Sequence, residues 1–349
     1  MNKKVTIIVV THNSRTKVAD CLASISRLNY PQNLIKVIVV DNNSTDSTVG
    51  YISEKHSQVK LIKNKKNLGF AAGNNQGYYL AEKNQADFLF LANDDIILEP
   101  NCLGHLVKAM EKNKKIAAVQ AKLLLYPEKD KINSFGNSLH YLGFAFCNYY
   151  RHQDNLGLTE PFETAYPSGA ACLLRISALE KTGLFDDRLF MYHDDVDLGW
   201  RLRLAGYQVM LDPLAVAYHK YNYSKAKYKF YYMDRNRFIV LLQNYRLLTI
   251  LLISPMLLFM ELGIIIFSIK NGWFKEKIKG YLWIIGHLPS ILAHRIMVQF
   301  KIRKVPDREV MKFFVGAIKF QEIDNLLLKF LINPLMQIYW FIVKRLIFW

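Results

Sequence analysis

Short apolar blocks alternate with polar ones along the front of the chain. Residues 5–10 are β-branched and apolar and end in Thr11-His12-Asn13-Ser14, the pattern of a buried parallel strand opening into a loop. A helix is expected over 18–28, closed by Asn29-Tyr30-Pro31. A second buried strand, 36–40, runs into Asp41-Asn42-Asn43-Ser44-Thr45-Asp46, a polar loop that also caps a helix over 47–54. Residues 59–62 predict a third strand, 67–77 a glycine-bearing loop and helix start, and 86–91 a fourth strand running towards Asn93-Asp94-Asp95. Strand–helix alternation of this kind argues an α/β fold with a doubly wound, mostly parallel sheet, which binds ligands at the carboxyl ends of its strands. The loops starting at Thr11, Asp41 and Asn93 all fall at such ends.

Beyond about residue 230 the pattern changes. Residues 247–269 are apolar apart from Ser254, Pro255, Glu261, Gly263 and Ser268; 281–300 is a weaker stretch, and 326–349 is apolar and aromatic. Only the first reaches the ~20 residues that a membrane span requires. Basic residues flank it on both sides, so no orientation follows. Pro255 near its middle suits a re-entrant hairpin or in-plane helices as well as a span.

The charge follows the same division. Of a formal net +17, residues 1–220 carry 26 Lys/Arg against 22 Asp/Glu, whereas 221–349 carry 20 against 7. Basic residues beside apolar stretches point to an anionic membrane surface rather than to nucleic acid, for which no zinc-finger spacing or RNA-binding aromatic signature is present. A buried helical subdomain or a dimer interface would leave the same apolar pattern. The expected organisation is an α/β domain over 1–230 and a basic, helical, membrane-associating region over 231–349. Cys21, Cys102, Cys147 and Cys172 are scattered without a CxxC pair, which suits free thiols in a cytosol-facing protein. The apolar run near Met1 is too short for a signal peptide.

Three acidic or histidine features carry candidate chemistry. Asn93-Asp94-Asp95 follows a buried strand, and one or two carboxylates with a diphosphate would complete an Mg²⁺ or Mn²⁺ site. The same residues also suit a turn that satisfies its own backbone. Asp194-Asp195-Val196-Asp197 fits a helix start, with Asp194 as N-cap and Asp197 near the positive dipole end. It equally fits a general base, because close carboxylates raise one another's pKa. His219, after a strand expected over 208–211, is either a metal ligand or an ordinary hydrogen-bonded histidine. Neither GxGxxG with a distal acid nor a GKS/T loop is present.

Taken in order, these motifs resemble the inverting glycosyltransferases of family 2, rhamnosyltransferase-like members above all. The resemblance covers roughly residues 4–222. It runs through Val9-Val10-Thr11-His12-Asn13-Ser14, Val39-Val40-Asp41-Asn42-Asn43-Ser44-Thr45-Asp46 and Asn67-Leu68-Gly69-Phe70-Ala71-Ala72-Gly73-Asn74. It continues through Asn93-Asp94-Asp95, Ser168-Gly169-Ala170-Ala171-Cys172-Leu173-Leu174-Arg175, Gly183-Leu184-Phe185-Asp186, Tyr192-His193-Asp194-Asp195-Val196-Asp197-Leu198 and His219.

The resemblance implies a GT-A fold. It implies that Thr11 and Asp41 line the nucleotide base pocket and that Asp94 lies near the ribose or diphosphate. Asn67 and Asn93 are further donor-side candidates, and Gly69 and Gly73 either let the backbone approach the donor closely or simply serve turns. Asp95 would ligate the metal, His219 would contact metal or diphosphate, and Asp195 would be the catalytic base. The family usually has Glu-Asp where this chain has Asp194-Asp195, which keeps the charge and shortens the reach. The aromatic loop 139–163 is either an acceptor-side lid or a packed loop.

The function expected is metal-dependent transfer, with inversion, from a nucleoside-diphosphate sugar such as dTDP-rhamnose to a polyprenyl-diphosphate-linked saccharide. It would act at the cytoplasmic face of the membrane in cell-surface polysaccharide synthesis. Galactofuranose, glucose or an N-acetylhexosamine as donor sugar, a non-catalytic sugar-nucleotide binder and a membrane-held scaffold are the alternatives.

Overall fold

The computed structural model describes residues 3–221, 227–319 and 325–349. The chain divides into two compact units. The first comprises Met1–Asn137, Cys147–Leu202 and Tyr207–Asn222; the second comprises Ser138–Phe146, Arg203–Gly206 and Tyr223–Trp349. The division is not a single cut, since two short inner segments belong to the second unit.

In the first unit, β1 (Val5–Thr11), β2 (Ile35–Asp41), β3 (Lys60–Lys63) and β4 (Phe88–Asn93) are parallel, in the spatial order β4-β1-β2-β3. Helices α1 (Arg15–Ser26), α2 (Thr48–Lys55) and α3 (Gly69–Lys83) make the crossovers. Both faces of β1 are covered. Val5, Ile7 and Val9 pack in one layer with Val18, Leu22 and Ile25 of α1. Ile8 packs in the other with Ala71, Tyr78 and Ala81 of α3. That two-sided burial is why β1 reads as an unbroken apolar run, and each such side chain contributes about 1.5–3 kcal/mol.

The rest of the unit supplies β5 (Ile96–Leu98), α4 (Cys102–Glu111), β6 (Ile116–Leu125) and β7 (Ile132–Ser134). After β8 (Asn137–His140) and β9 (Ala145–Cys147) come β10 (Phe162–Glu163), β11 (Ala171–Arg175), α5 (Ile176–Thr182), α6 (Asp194–Leu204) and β12 (Gln208–His219). Here the mostly parallel sheet expected from the sequence needs correction. β11 lies antiparallel between β4 and β6; β12 is parallel to β6, while β5 and β10 pair antiparallel with β12. The sheet is therefore mixed. A short apolar run announces a buried strand without its direction, so periodicity could not reveal the reversal.

The second unit is helical: α7 (Lys227–Asn244), α8 (Leu247–Lys270), α9 (Phe274–Gly286), α10 (Leu288–Met297), α11 (Asp307–Val310) and α12 (Asn333–Leu346). The two-residue strand β13 (Phe314–Val315) runs parallel to β8, which also neighbours β9. Pro255 lies inside α8, and the chain does not turn back there. Glu261 of α8 is not isolated: Arg237 reaches Asp234 at 3.1 Å and Glu261 at 2.7 Å, and buried Lys277 binds both carboxylates. Among the described residues α8 is the one helix long and apolar enough to cross a membrane, and Leu251, Leu258, Leu262 and Ile266 on it are exposed.

Candidate active site

Parallel pairing brings three chain reversals to one edge. Thr11 stands opposite Asp41 across β1 and β2, and Val10 opposite Asn93 across β1 and β4. Thr11 Oγ1 donates to Asp94 Oδ2 at 2.8 Å. Asp41 is buried; its Oδ2 accepts the Ser44 amide at 3.0 Å, while Oδ1 has no partner among the described residues. A buried oxygen left unpaired costs about 1–3 kcal/mol, so a donor is wanted there. Asn93 Oδ1 is in the same position. Beside them opens a cleft of about 380 Å³, lined by His12, Arg15, Lys17, Asp46 and Asp94 among others.

Asp95 is reached from the far end of the unit. β5 pairs with β12 so that Ile96 faces His219, and the Lys220 amide donates to the Asp95 carbonyl at 2.9 Å. His219 Nε2 then lies 3.1 Å from Asp95 Oδ1. His219 is the last residue of β12 itself, a strand far longer than the expected 208–211. On its other side, Nδ1 lies 2.9 Å from Asn133 Oδ1. Lys17 Nζ approaches Asp95 Oδ2 at 3.3 Å. Burial pushes the Asp95 carboxyl up, but His219 and Lys17 together outweigh it and hold it at about 2. Burial, with the neighbouring Asp95 charge, raises Asp94 to about 6.

The donor set at Asp95 fits a divalent cation. His219 and Asp95 are residue types that bind divalent cations, and Nε2 stands beside the Asp95 carboxylate while Nδ1 is engaged by the Asn133 side-chain amide. Asn133 fixes the ring's orientation, as outer-shell partners of ligating histidines do. Among the described residues no three His, Cys, Asp or Glu side chains converge on a metal position. The protein's share would be Asp95 and His219, with diphosphate and water oxygens supplying the rest.

Asp195 arrives at the same edge by another route. β11 is antiparallel to β4, so its start lies at the carboxyl end of β4, where the Asn93 amide donates to the Ala170 carbonyl at 2.9 Å. One residue earlier, the Gly169 amide faces the Asp195 carboxylate and favours its charged form, and that carboxylate accepts the Val196 amide at 2.8 Å. Burial nonetheless raises Asp195 to about 6. Asp194, buried with Oδ2 unpartnered among the described residues, is also pushed up, by burial and by the Asp195 charge. Both carboxyls of the pair are therefore raised by burial, as a group that must hold or take a proton near neutral pH requires.

Asp194 is not the N-cap expected from the sequence. It is the first helical residue, because the His193 carbonyl already accepts the Asp197 amide at 2.9 Å. The approach is strained: Phe190, Tyr192 and His193 all have φ between 61° and 65°. Asp197 is structural, since it holds Arg201 at 2.7 Å and Arg201 in turn binds the carbonyls of Thr182, Gly183 and Leu184.

The glycine motif is turned towards the protein. Gly69 has φ +81°, and a Cβ there would lie 2.5 Å from Phe190; the Phe190 carbonyl accepts the Phe70 amide at 2.7 Å. Gly73 lets α3 close on Val10, and Asn67 Oδ1 accepts the Gly69 amide. Loop 139–163 is divided: Leu139, Tyr141 and Leu142 are buried in the second unit, and Tyr149 of the first is exposed.

Four residues at the site escape a reading by motif: Lys17, Asn133, Gly169 in its contact to Asp195, and Gly199. A Cβ on Gly199 would lie 2.5 Å from that of Tyr166, so its absence seats α6 against the segment that leads to Gly169. Its signal was available, as a lone glycine inside a helical pattern. Lys17 and Asn133 left none.

The fold has solved counterparts. GalNAc-T7, solved with UDP, GalNAc and Mn²⁺, superposes with a TM-score of 0.55 over 68% of this chain and 47% of that one, at 14% identity. The mannosyltransferase PcManGT of Pyrobaculum calidifontis, solved with GDP-Man and Mn²⁺, gives 0.50 over 69% and 64%, at 17% identity. The first unit thus has a GT-A-like glycosyltransferase fold. Residues 6–183, half the chain, match the model of glycosyl transferase family 2, and the chain belongs to that family. It is a glycosyltransferase.

Among curated relatives, the N-acetylglucosaminyl-diphospho-decaprenol L-rhamnosyltransferase of Mycobacterium tuberculosis is 29% identical over 237 residues, 61% of this chain and 75% of that protein. The poly-beta-1,6-N-acetyl-D-glucosamine synthase of Staphylococcus epidermidis is 24% identical over 61% of this chain, which spans 49% of that protein. The family match ends before Asp194, Asp195 and His219.

Proposed function

We propose that the protein is an inverting, metal-dependent transferase that moves rhamnose from dTDP-rhamnose to a lipid-linked saccharide in cell-surface polysaccharide synthesis. One observation carries this reading: antiparallel pairing of β11 with β4 brings Gly169, whose amide faces the buried Asp195 carboxylate, next to the strand end that bears Asp94 and Asp95. Asp195 takes the proton of an acceptor hydroxyl, and that oxygen attacks the anomeric carbon as its bond to the diphosphate breaks. The diphosphate leaves with the electron pair. Mn²⁺ or Mg²⁺, held by Asp95 and His219, would neutralise charge on the departing diphosphate. In this reading Thr11, Asp41, Asn93 and Asp94 bind the nucleotide, and Arg15 and Lys17, which line the cleft with Asp94, offer cations to phosphate.

The lipid-linked acceptor is supported by the mycobacterial relative, whose name states such a substrate. The exposed apolar, basic helices of 231–349 support docking at the cytoplasmic membrane face. The staphylococcal relative favours a second reading, with an N-acetylhexosamine donor. Nucleoside-diphosphate release from a panel of nucleotide sugars, with membrane extract as acceptor and Asp195→Asn as control, tests both. Release from one donor alone, lost in the variant, names the sugar; release that survives in the variant overturns the mechanism.

A further inference from the structure

A second cavity lies wholly within the second unit, beside α12 and β13, with a volume of about 770 Å³. That is the size of a small-molecule site. Four cationic side chains line it, Arg308, Lys312, Lys344 and Arg345, together with the aromatic rings of Trp340, Phe341 and Phe348. The charges are largely uncompensated. Lys312 pairs with exposed Glu309, but among the described residues neither Arg308 nor Lys344 has a carboxylate partner. Burial and the neighbouring Lys312 charge hold the Lys344 ammonium below the usual lysine range, the mark of a cation lacking an anion.

The walls are two-sided in character. Trp340 is buried and stacks on Tyr141 with ring centroids 4.6 Å apart, so one wall is fixed. Phe341 and Phe348 are 61% and 75% exposed, and α12 continues outward through exposed Ile338, Ile342 and Leu346. A cationic recess that opens onto an apolar helix face suits a molecule with an anionic head and a hydrocarbon tail.

We propose that this cavity binds the diphosphate head of a lipid, and that its occupant is the lipid-linked acceptor. Identifying the occupant as acceptor rests on the function proposed above; the cavity's chemistry does not. Arg308 and Lys344 bind phosphate oxygens, and Phe341 and Phe348 flank the first part of the chain.

The full-length protein is floated with phosphatidylcholine vesicles carrying either a polyprenyl diphosphate or phosphatidylglycerol at equal charge. Wild type should bind the polyprenyl diphosphate vesicles at least tenfold more tightly than the phosphatidylglycerol ones. Arg308→Ala/Lys344→Ala should remove that preference, and Arg308→Lys/Lys344→Arg should restore it. Equal binding to both vesicles, or a preference unchanged in the alanine variant, overturns the proposal. Inorganic diphosphate in solution should compete at millimolar concentration if the head alone is read, and failure to compete would also count against the site. Because binding is read without turnover, absent nucleoside-diphosphate release with an intact preference would defeat the transferase reading and leave the cavity standing.

Discussion

His219 Nε2 stands 3.1 Å from Asp95 Oδ1 although 124 residues separate them. The antiparallel pairing of β5 with β12 sets that distance, with His219 opposite Ile96. A histidine held between Asp95 and Asn133 is the second ligand in the proposed cation site.

Replacing His219 with Ala should raise the Mn²⁺ concentration for half-maximal activity by more than tenfold. Asn133→Ala, which frees the ring to rotate, should raise it by about tenfold, the low end for an outer-shell partner. Titrating activity with Mn²⁺ after chelation reads both. An unchanged midpoint in His219→Ala would remove that residue from the ligand set.

Asp195→Asn should lower turnover by roughly 10²–10⁴-fold, the usual contribution of a general base, while donor affinity holds. Wild-type kcat/KM should rise with pH and level off above about 6, because the base works as a carboxylate and burial has raised it to that value. An acid limb near 4 would mean that the carboxylate is not buried in the working enzyme.

Asp194→Asn should stabilise the fold at alkaline pH. A carboxyl raised on folding binds its proton more tightly in the native state, so wild-type stability falls as pH climbs from the unfolded value of ~3.9. Asparagine does not titrate and removes that loss. Melting temperatures at pH 5 and pH 8 decide the matter: the gap between variant and wild type should widen at pH 8, and a constant gap would contradict the buried, protonated state.

Gly199→Ala should cost about 1–3 kcal/mol of stability, since its methyl carbon would lie 2.5 Å from Tyr166 Cβ. Because α6 also carries Asp195, kcat should fall while KM for the donor changes little. A stable variant with full kcat would show that α6 does not need this close seat.

The local pattern already contained much of this protein. The apolar runs ending at Thr11, Asp41 and Asn93 were strands with polar loops at their carboxyl ends, because two-sided burial demands continuous apolar residues and ligand loops must be polar. The same logic made Asp94, Asp95 and Asp195 visible as candidates, since acidic residues at such ends stand out from an apolar background. Direction and pairing were another matter. Nothing in residues 171–175 says that β11 runs against β4, yet that reversal brings Gly169 to Asp195. No spacing relates His219 to Asp95, Asn133 to His219 or Lys17 to Asp95. Periodicity reports which face of an element is buried, so it yields elements and sheet edges. Which partners meet across that edge depends on register between distant strands, and only the folded chain decides it.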